Sequence, residues 1–188
     1  MQSALFIGRF QPFHNGHLDA IQKILKDNER VIIVIGSAEK NFLKSDPLTA
    51  GERFQLIEES LKEAKITPDR YVIIPVRNVN NYALWVNHIN IHVPPYTRLY
   101  TGSELVKACY LGKYYRNHED TKTGPEIYDL VREVPLSASE VRHAILHEQN
   151  WEDYLPPAAA ALLKKWQFID RLKIIQNTKD ITAMNGTY

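Results

Sequence analysis

The apolar residues of this chain follow two alternating patterns. Short unbroken runs, at residues 5–7 and at the β-branched residues 31–35, are typical of strands in a parallel sheet that is covered on both faces. Apolar residues at helical spacing come after each run, first from Gly16 and then after Thr49, which has the capping-box spacing to Glu52. The same two patterns predict further strands at residues 71–76 and 98–101 and further helices at residues 83–91 and 103–110.

Strands that alternate with helices at this spacing imply right-handed crossovers and a parallel sheet. The chain is therefore predicted to form a Rossmann-like α/β fold, with helices on both faces of the sheet and a small C-terminal helical subdomain. In such folds ligands bind beyond the carboxyl ends of the strands. The loops after Ile7, Ile35 and Tyr100 are therefore the candidate binding loops.

The second half of the chain is less regular. Residues 113–129 are polar and rich in tyrosine, and we assign them no shape beyond an excursion over the surface. A further strand is predicted at residues 131–134, and from Ser137 the pattern becomes helical. The predicted units are an α/β domain at residues 1–136, a helical subdomain at 137–176 that completes the binding site, and a polar tail at 177–188 that is expected to fray.

Composition restricts the partners of this protein. The chain has 188 residues, with 23 Lys and Arg against 22 Asp and Glu, so its net charge of +1 gives no broad electrostatic case for binding DNA or RNA. Cys109 is the only cysteine, no apolar run approaches the roughly 18 residues that span a bilayer, and no cationic and apolar leader follows Met1. We therefore expect a cytoplasmic protein with small-molecule partners, no nucleic-acid partner and no membrane attachment.

The stretch GRFQPFHNGHL, residues 8–18, lies where a predicted strand passes through a loop into a helix. Its glycines let backbone amides approach an anion, and the helix start adds a partial positive charge. His14 and His17 are three residues apart and can point toward the same oxygens, and Arg9 adds a fixed cation. The alternative is that the histidines only cap a turn. The coincidence of all these features favours a phosphate site.

The stretch SASEVR, residues 137–142, opens a later helix. Ser137 and Glu140 have the capping-box spacing, which by itself indicates only a helix start. Arg142, one turn into the helix, stands close to two serine hydroxyls and to free backbone amides, a set suited to phosphate oxygens. Two phosphate-binding segments suggest that one polyphosphate lies between them.

These motifs resemble those of the HxGH nucleotidyltransferase superfamily. Within it, the chain is similar to the archaeal-type nicotinamide-nucleotide adenylyltransferases, whose pattern GRFQPFHxGH is matched by residues 8–17. The resemblance runs from about residue 4 to residue 170. Other similar segments are GSA at 36–38, DP at 46–47, TAGER at 49–53, ALWV at 83–86, YTG at 100–102 and the helix start at 137–142.

The resemblance implies transfer of AMP from ATP to nicotinamide mononucleotide, giving NAD and pyrophosphate, with Mg²⁺ accompanying the ATP. No covalent enzyme intermediate and no metal-ligating side chain is expected, and a homo-oligomer such as a hexamer is implied. The residues carried over as catalytic are His14, His17 and Arg142. Those carried over as ATP-binding are Gly8, Arg9, Phe10, Phe13, Gly16, Gly102, Ser137 and Ser139.

The acceptor side also follows from the resemblance. Trp85 would stack on the pyridinium ring, although a tryptophan on a helix can equally be a core residue. Ser45 stands where some family members present an arginine to the substrate phosphate, and Tyr82 stands where the family usually carries a polar amide. The neighbouring Lys44 and Asn81 are the candidates to replace them. The predicted mononucleotide-binding residues are therefore Gly36, Ser37, Lys44, Asn81 and Trp85.

Two other functions stay open. A sister transferase would use another phosphorylated acceptor, such as pantetheine phosphate, or depend on CTP; Trp85 and residues 49–53 argue against it. A non-catalytic nucleotide sensor would bind ATP without turnover, and the intact His14, His17 and Arg142 argue against that. Two further histidine pairs at i, i+4 spacing, 88/92 and 143/147, lack the Glu of an HExxH motif, and we expect them to be ordinary polar residues.

Overall fold

The computed structural model describes residues 2–112, 124–130 and 136–178. Its sheet contains β1 (Ser3–Gly8), β2 (Arg30–Ile35), β3 (Tyr71–Pro75), β4 (Arg98–Thr101) and β5 (Glu126–Asp129). All neighbouring strands are parallel, and their order is β3, β2, β1, β4, β5. β2 and β3 are thus added on one side of β1, and β4 and β5 on the other side. The direction in which strands are added therefore reverses between β1 and β4.

Helices connect the strands and follow the last of them. The first four are α1 (Asn15–Asp27), α2 (Ala50–Glu63), α3 (Tyr82–Asn90) and α4 (Glu104–Tyr110). The others are α5 (Ala138–Leu146), α6 (Pro157–Lys165) and α7 (Phe168–Asn177), with short 3₁₀ turns at Pro68–Arg70 and Glu152–Tyr154. None of the described helices is both long and apolar enough to cross a membrane.

The helices form a layer on each face of the sheet. Phe6 and Ile33 belong to a core shared with α1, α2, α5, α6 and α7, whereas Leu5 and Ile32 belong to a second core shared with α3 and α4. Successive strand residues point to opposite faces, so the unbroken apolar runs supply both cores. A fully buried isoleucine such as Ile33 contributes roughly 1.5–3 kcal/mol to stability. The predicted Rossmann-like fold with helices on both faces is confirmed.

The fifth strand lies in a segment to which no shape was assigned from the sequence. β5 has only two apolar residues, Ile127 and Tyr128, and among the described strands it pairs with β4 alone. Such a short edge strand gives almost no hydrophobic pattern. The strand predicted at residues 131–134 lies outside the described residues, as do residues 113–123 and most of the predicted tail.

The C-terminal helices complete the first core. Val141 on α5, Leu163 on α6 and Phe168 on α7 are fully buried in the same core as the residues of α1 and α2. This packing holds the N-terminus of α5 against the carboxyl end of the sheet. The division of the chain at residue 136 stays a prediction.

Candidate active site

The carboxyl ends of β1 and β4 and the N-termini of α1 and α5 surround one cavity of about 370 Å³. It lies where the strand order reverses, which is where open α/β sheets bind ligands. Of the residues predicted to be catalytic or to bind ATP, all but Phe13 line this cavity. They are Gly8, Arg9, Phe10, His14, Gly16, His17, Gly102, Ser137, Ser139 and Arg142.

His14 and His17 have both of the roles considered from the sequence: they cap a helix, and they line the candidate phosphate site. His14 is the N-cap of α1, and its backbone N–H donates to Nδ1 of His17 at 3.3 Å. The two rings stack with their centroids 3.6 Å apart. Because Nδ1 of His17 accepts this bond, we place the proton of its neutral imidazole on Nε2, which can then donate to a ligand. The pair therefore caps the helix and also lines the cavity.

Phenylalanines fix the ring of His17. Phe10 meets it edge-on with 4.8 Å between ring centroids, and Phe13 stacks on it at 5.5 Å. Phe13 is fully buried, so it supports the imidazole from behind and does not line the cavity. A Cβ added at Gly8 would lie 2.7 Å from the Phe10 ring, which gives this glycine a packing role in addition to the predicted approach of an anion.

Arg142 reaches from α5 to the loop after β1. Its Nη1 donates to the carbonyl oxygen of Gln11 at 2.7 Å, and its Nη2 donates to Oγ of Ser139 at 3.2 Å. Burial lowers the pKa of Arg142, and the charge of Arg9 lowers it further, whereas Asp46 opposes both effects. Within the described residues no carboxylate forms an ion pair with Arg142. The cavity therefore holds positive charge that an anionic ligand can neutralise.

The N-terminus of α5 is capped as the sequence predicts. Ser137 Oγ accepts from the backbone N–H of Glu140, and the Glu140 carboxylate accepts from the backbone N–H of Ser137. These hydrogen bonds, with a smaller effect of the charge of His14, lower the pKa of Glu140. The first amides of a helix have no partner within it, so the amides that follow the cap can bind an anion in the cavity.

Ser45, which the resemblance places where some family members carry an arginine, contacts the site indirectly. Its hydroxyl donates to Oδ2 of Asp46 at 2.6 Å, and Oδ1 of the buried Asp46 lies 3.5 Å from Nη1 of Arg9. The Arg9 side chain is 61% exposed, so the carboxylate tethers a cation that remains accessible at the edge of the cavity. In this chain the Ser45 side chain thus supports the position of Arg9 through Asp46.

Two polar residues that organise the site were not singled out as site residues from the sequence. The Gln11 side chain exchanges two hydrogen bonds with the backbone of Leu48, which fixes the loop after β1. Arg53 on α2 is fully buried, and burial lowers its pKa while Asp46 and Glu39 oppose this shift. The sequence does carry a signal for Arg53. It lies three and four residues before the apolar Leu56 and Ile57, which places a cation on the apolar side of its helix.

The predicted acceptor residues do not line this cavity. Gly36 lies beside it, since its N–H donates to the carbonyl of Gly8 at 2.9 Å. Lys44 and Asn81 are exposed, and Asn81 caps α3. Trp85 is partly buried against the second core and meets Tyr110 edge-on, which fits the alternative that it is a core residue. Part of its surface is exposed. Its stacking role stays a prediction.

The remaining histidine pairs are held by backbone oxygens. A ring nitrogen of His92 lies 2.7 Å from the carbonyl of His88, and one of His147 lies 2.8 Å from that of His143. In the part of the chain that the structure describes, no group of three or more His, Cys, Asp or Glu side chains is placed to hold a metal ion.

The fold and the cavity define the class of this protein. A family model described as cytidylyltransferase-like matches residues 5–154, and the chain belongs to this family. Individual relatives are archaeal. The chain is 34% identical over 177 residues to the nicotinamide-nucleotide adenylyltransferase of Picrophilus torridus. The matched region covers 94% of this chain and 99% of that protein. It is 38% identical over 175 residues to that of Pyrobaculum aerophilum, with coverage of 93% and 94%. The resemblance found in the sequence motifs is confirmed.

Solved structures share the fold. Two crystal structures of a bifunctional NMN adenylyltransferase/ADP ribose pyrophosphatase from Francisella tularensis match 93% of this chain at 22% identity, with TM-scores of 0.75 and 0.72. The chain spans about half of that protein, 52% and 51% of its length in the two structures. The second structure is complexed with AMP and a manganese ion.

Proposed function

We propose that this protein is a nicotinamide-nucleotide adenylyltransferase, which transfers AMP from ATP to nicotinamide mononucleotide and releases pyrophosphate. One observation carries the proposal beyond family membership. His14 and His17 line one cavity together with Arg142, whose guanidinium is bonded to Gln11 in the loop between the strand and those histidines. Imidazoles and a guanidinium around one space suit a triphosphate better than any uncharged ligand.

The reaction needs alignment and positive charge more than covalent chemistry. The phosphate of the mononucleotide attacks the α-phosphorus of ATP in line, the new P–O bond forms as the bond to pyrophosphate breaks, and negative charge grows on the leaving group. Nε2–H of His17 and the imidazole of His14 donate to phosphate oxygens near the reacting centre. Arg142 and the first amides of α5 stabilise the departing pyrophosphate. No side chain needs to act as a nucleophile.

A divalent cation enters with the ATP in this proposal. The cavity lining contains no carboxylate among the described residues, so the ion is expected on the triphosphate and not on a protein site. The Francisella protein, one structure of which is complexed with AMP and a manganese ion, supports the use of a divalent ion. We propose Mg²⁺, because the chemistry of ATP in cells is that of its magnesium complex.

We place the acceptor at the carboxyl end of β2. We call residues 36–40 the acceptor loop. The backbone N–H of its first residue, Gly36, donates a hydrogen bond to the carbonyl of Gly8 at the edge of the cavity. Residues 9–14, between β1 and α1, are called the nucleotide loop. An acceptor phosphate over the acceptor loop faces the phosphates held by the nucleotide loop. Ser37, Lys44, Asn81 and Trp85 are the proposed side-chain contacts of the mononucleotide.

Turnover with defined acceptors tests the proposal. The purified protein is incubated with ATP and Mg²⁺ and with nicotinamide mononucleotide, nicotinate mononucleotide or pantetheine phosphate in separate reactions. We expect pyrophosphate release together with NAD in the first reaction. Adenylylation of pantetheine phosphate alone, or turnover only when CTP replaces ATP, would establish the sister transferase. Tight ATP binding without any product would establish the sensor. Arg142→Met serves as the inactive control.

Two further properties remain predictions of the same proposal. A cytoplasmic location and assembly into a homo-oligomer such as a hexamer follow from the sequence and its resemblance. Light scattering coupled to gel filtration measures the oligomer directly, and a monomeric mass at assay concentration would contradict it.

A further inference from the structure

Arg53 is a buried cation without an ion-pair partner among the described residues. Its side chain is fully buried in α2, and no carboxylate oxygen lies within 4.0 Å of its guanidinium. A charge in that position is unfavourable unless its hydrogen bonds are satisfied. Six backbone carbonyls accept from it. They belong to Arg9, Gly36, Ser37, Ala38, Lys40 and Thr49, at distances from 2.9 to 3.4 Å.

These bonds join the two loops that the proposed reaction brings together. Nη1 of Arg53 donates both to Arg9 of the nucleotide loop, at 3.1 Å, and to Gly36 of the acceptor loop, at 2.9 Å. Nη2 donates to three further carbonyls of the acceptor loop. A planar fork of fixed donors is required for this, and the single ammonium group of a lysine cannot reproduce it.

The acceptor loop has a conformation that needs external support. Ser37 has φ of 50°, in the left-handed region that a residue with a side chain adopts only at a cost. Its carbonyl oxygen accepts from Arg53 at 3.2 Å. The loop is therefore held by contacts from outside itself, and four of those hydrogen bonds come from one guanidinium.

We propose that Arg53 is a positioning residue that fixes the acceptor loop against the nucleotide loop and so sets the alignment of the two substrates. The inference rests on the proposed function, because it takes the acceptor phosphate to lie over residues 36–40. Arg53 makes four bonds to the acceptor loop and one to the nucleotide loop. The binding of the acceptor should therefore depend on it more strongly than the binding of ATP.

The substitution Arg53→Lys tests this dependence because it keeps the positive charge and removes the fork. We expect the KM for the acceptor to rise by about tenfold or more and kcat to fall, because positioning is lost, while the KM for ATP changes less than about threefold. Initial rates with each substrate varied in turn give this split. Equal changes in the two KM values, or no change in either, would overturn the proposal.

Arg70 provides a matched control. It also binds backbone carbonyls, those of Leu25, Asn28 and Glu29, but at the opposite end of the sheet. Arg70→Lys makes the same chemical change, and we expect it to leave both KM values and kcat unchanged while lowering Tm. If Arg70→Lys shifts the acceptor KM as much as Arg53→Lys does, the effect is general destabilisation and the proposal fails.

Hydrogen exchange separates this inference from the proposed function. The amides of Gly36, Ala38 and Lys40 are bonded to carbonyls of Gly8, Val76 and Ser37, and their exchange rates report the order of the acceptor loop. We expect faster exchange in Arg53→Lys and no change in Arg70→Lys. If the wild-type protein is inactive but the two variants show this exchange pattern, the proposed function is refuted and the link between the loops is supported. Unchanged exchange in a fully active protein would refute the link alone.

Chemical rescue tests whether the charged fork itself sets the acceptor KM. In Arg53→Ala, millimolar guanidinium should restore activity by lowering the acceptor KM, while urea, which has a similar shape without the charge, should not. Equal rescue by both compounds, or none in a folded variant, would contradict the proposed role of the charged fork. If Arg53→Ala does not fold, Arg53→Lys and its exchange pattern decide the question.

Discussion

On the nucleotide side of the site the predicted residues other than Phe13 line one cavity, whereas on the acceptor side the predicted residues lie outside that cavity. His17 is held by the N-cap of its own helix, and Arg142 by the backbone of Gln11. Lys44 and Asn81 are exposed, and Trp85 contacts the second core. In the proposed reaction a triphosphate meets a preformed surface, while acceptor recognition depends on side chains carried by loops and a helix.

The largest expected effect comes from removing the cation that closes the nucleotide side. Arg142→Met keeps most of the side-chain volume and loses the charge and both hydrogen bonds. We expect kcat/KM to fall by about 10³-fold, as for the loss of a charged transition-state donor. Pyrophosphate release measures it. A loss smaller than tenfold would mean that the preformed cavity is not the triphosphate site, and the comparison between the two sides would break down.

His17→Ala follows in size. We expect kcat to fall by about 10²–10³-fold with a smaller change in the affinity for ATP, because Nε2–H acts mainly on the transition state. Equilibrium binding of ATP and single-turnover rates separate the two quantities. His147→Ala, which removes an exposed imidazole at the end of α5, is the control and should leave both unchanged. Equal losses in binding and rate would indicate uniform ground-state binding.

Trp85→Leu examines the acceptor side. If the indole stacks on the pyridinium ring, the KM for the mononucleotide rises by about tenfold and that for ATP stays the same. Initial rates and a thermal melt on the same sample distinguish this from a core role. A lower Tm with both KM values unchanged would assign Trp85 to the second core and leave the acceptor ring without its predicted partner.

The smallest effect concerns the preformed start of α5. The hydrogen bonds to Ser137 lower the pKa of Glu140 from its ordinary value of 4.5. The charged carboxylate therefore stabilises the folded protein above pH 4.5, and this stabilisation is lost as the pH falls through the lower pKa of the folded state. Glu140→Gln should lower Tm slightly at pH 7. The difference from the wild type should shrink as the pH falls below the ordinary value of 4.5 and through the lowered pKa. A difference that does not depend on pH would contradict the role of the charged cap.

The fold and the nucleotide side could be predicted because their signals are local. Unbroken apolar runs identified β1 and β2, and the motif at residues 8–18 placed both histidines at a helix start. β5 could not be predicted, since an edge strand with two apolar residues has no periodicity to detect. Its position depends on pairing with β4, which precedes it in the chain with α4 between them.

The support of the site was harder to predict than its lining. Arg53 stands out only as a cation on an apolar helix face, and its six acceptors come from three separate parts of the chain. The contact between Gln11 and Leu48 likewise exists only after the loops are folded together. For Trp85, burial and ligand stacking favour the same residue type on a helix, so the sequence could not separate them.

The packing of Phe10 has a consequence for the end of β1. This ring fills the space in which a side chain at Gly8 would stand, and it also packs edge-on against the ring of His17. A single methyl group added on the strand would therefore push one aromatic ring and, through it, rotate an imidazole that it never contacts. If His17 donates to a phosphate as proposed, Gly8 thus influences the angle of that hydrogen bond without contacting the substrate itself.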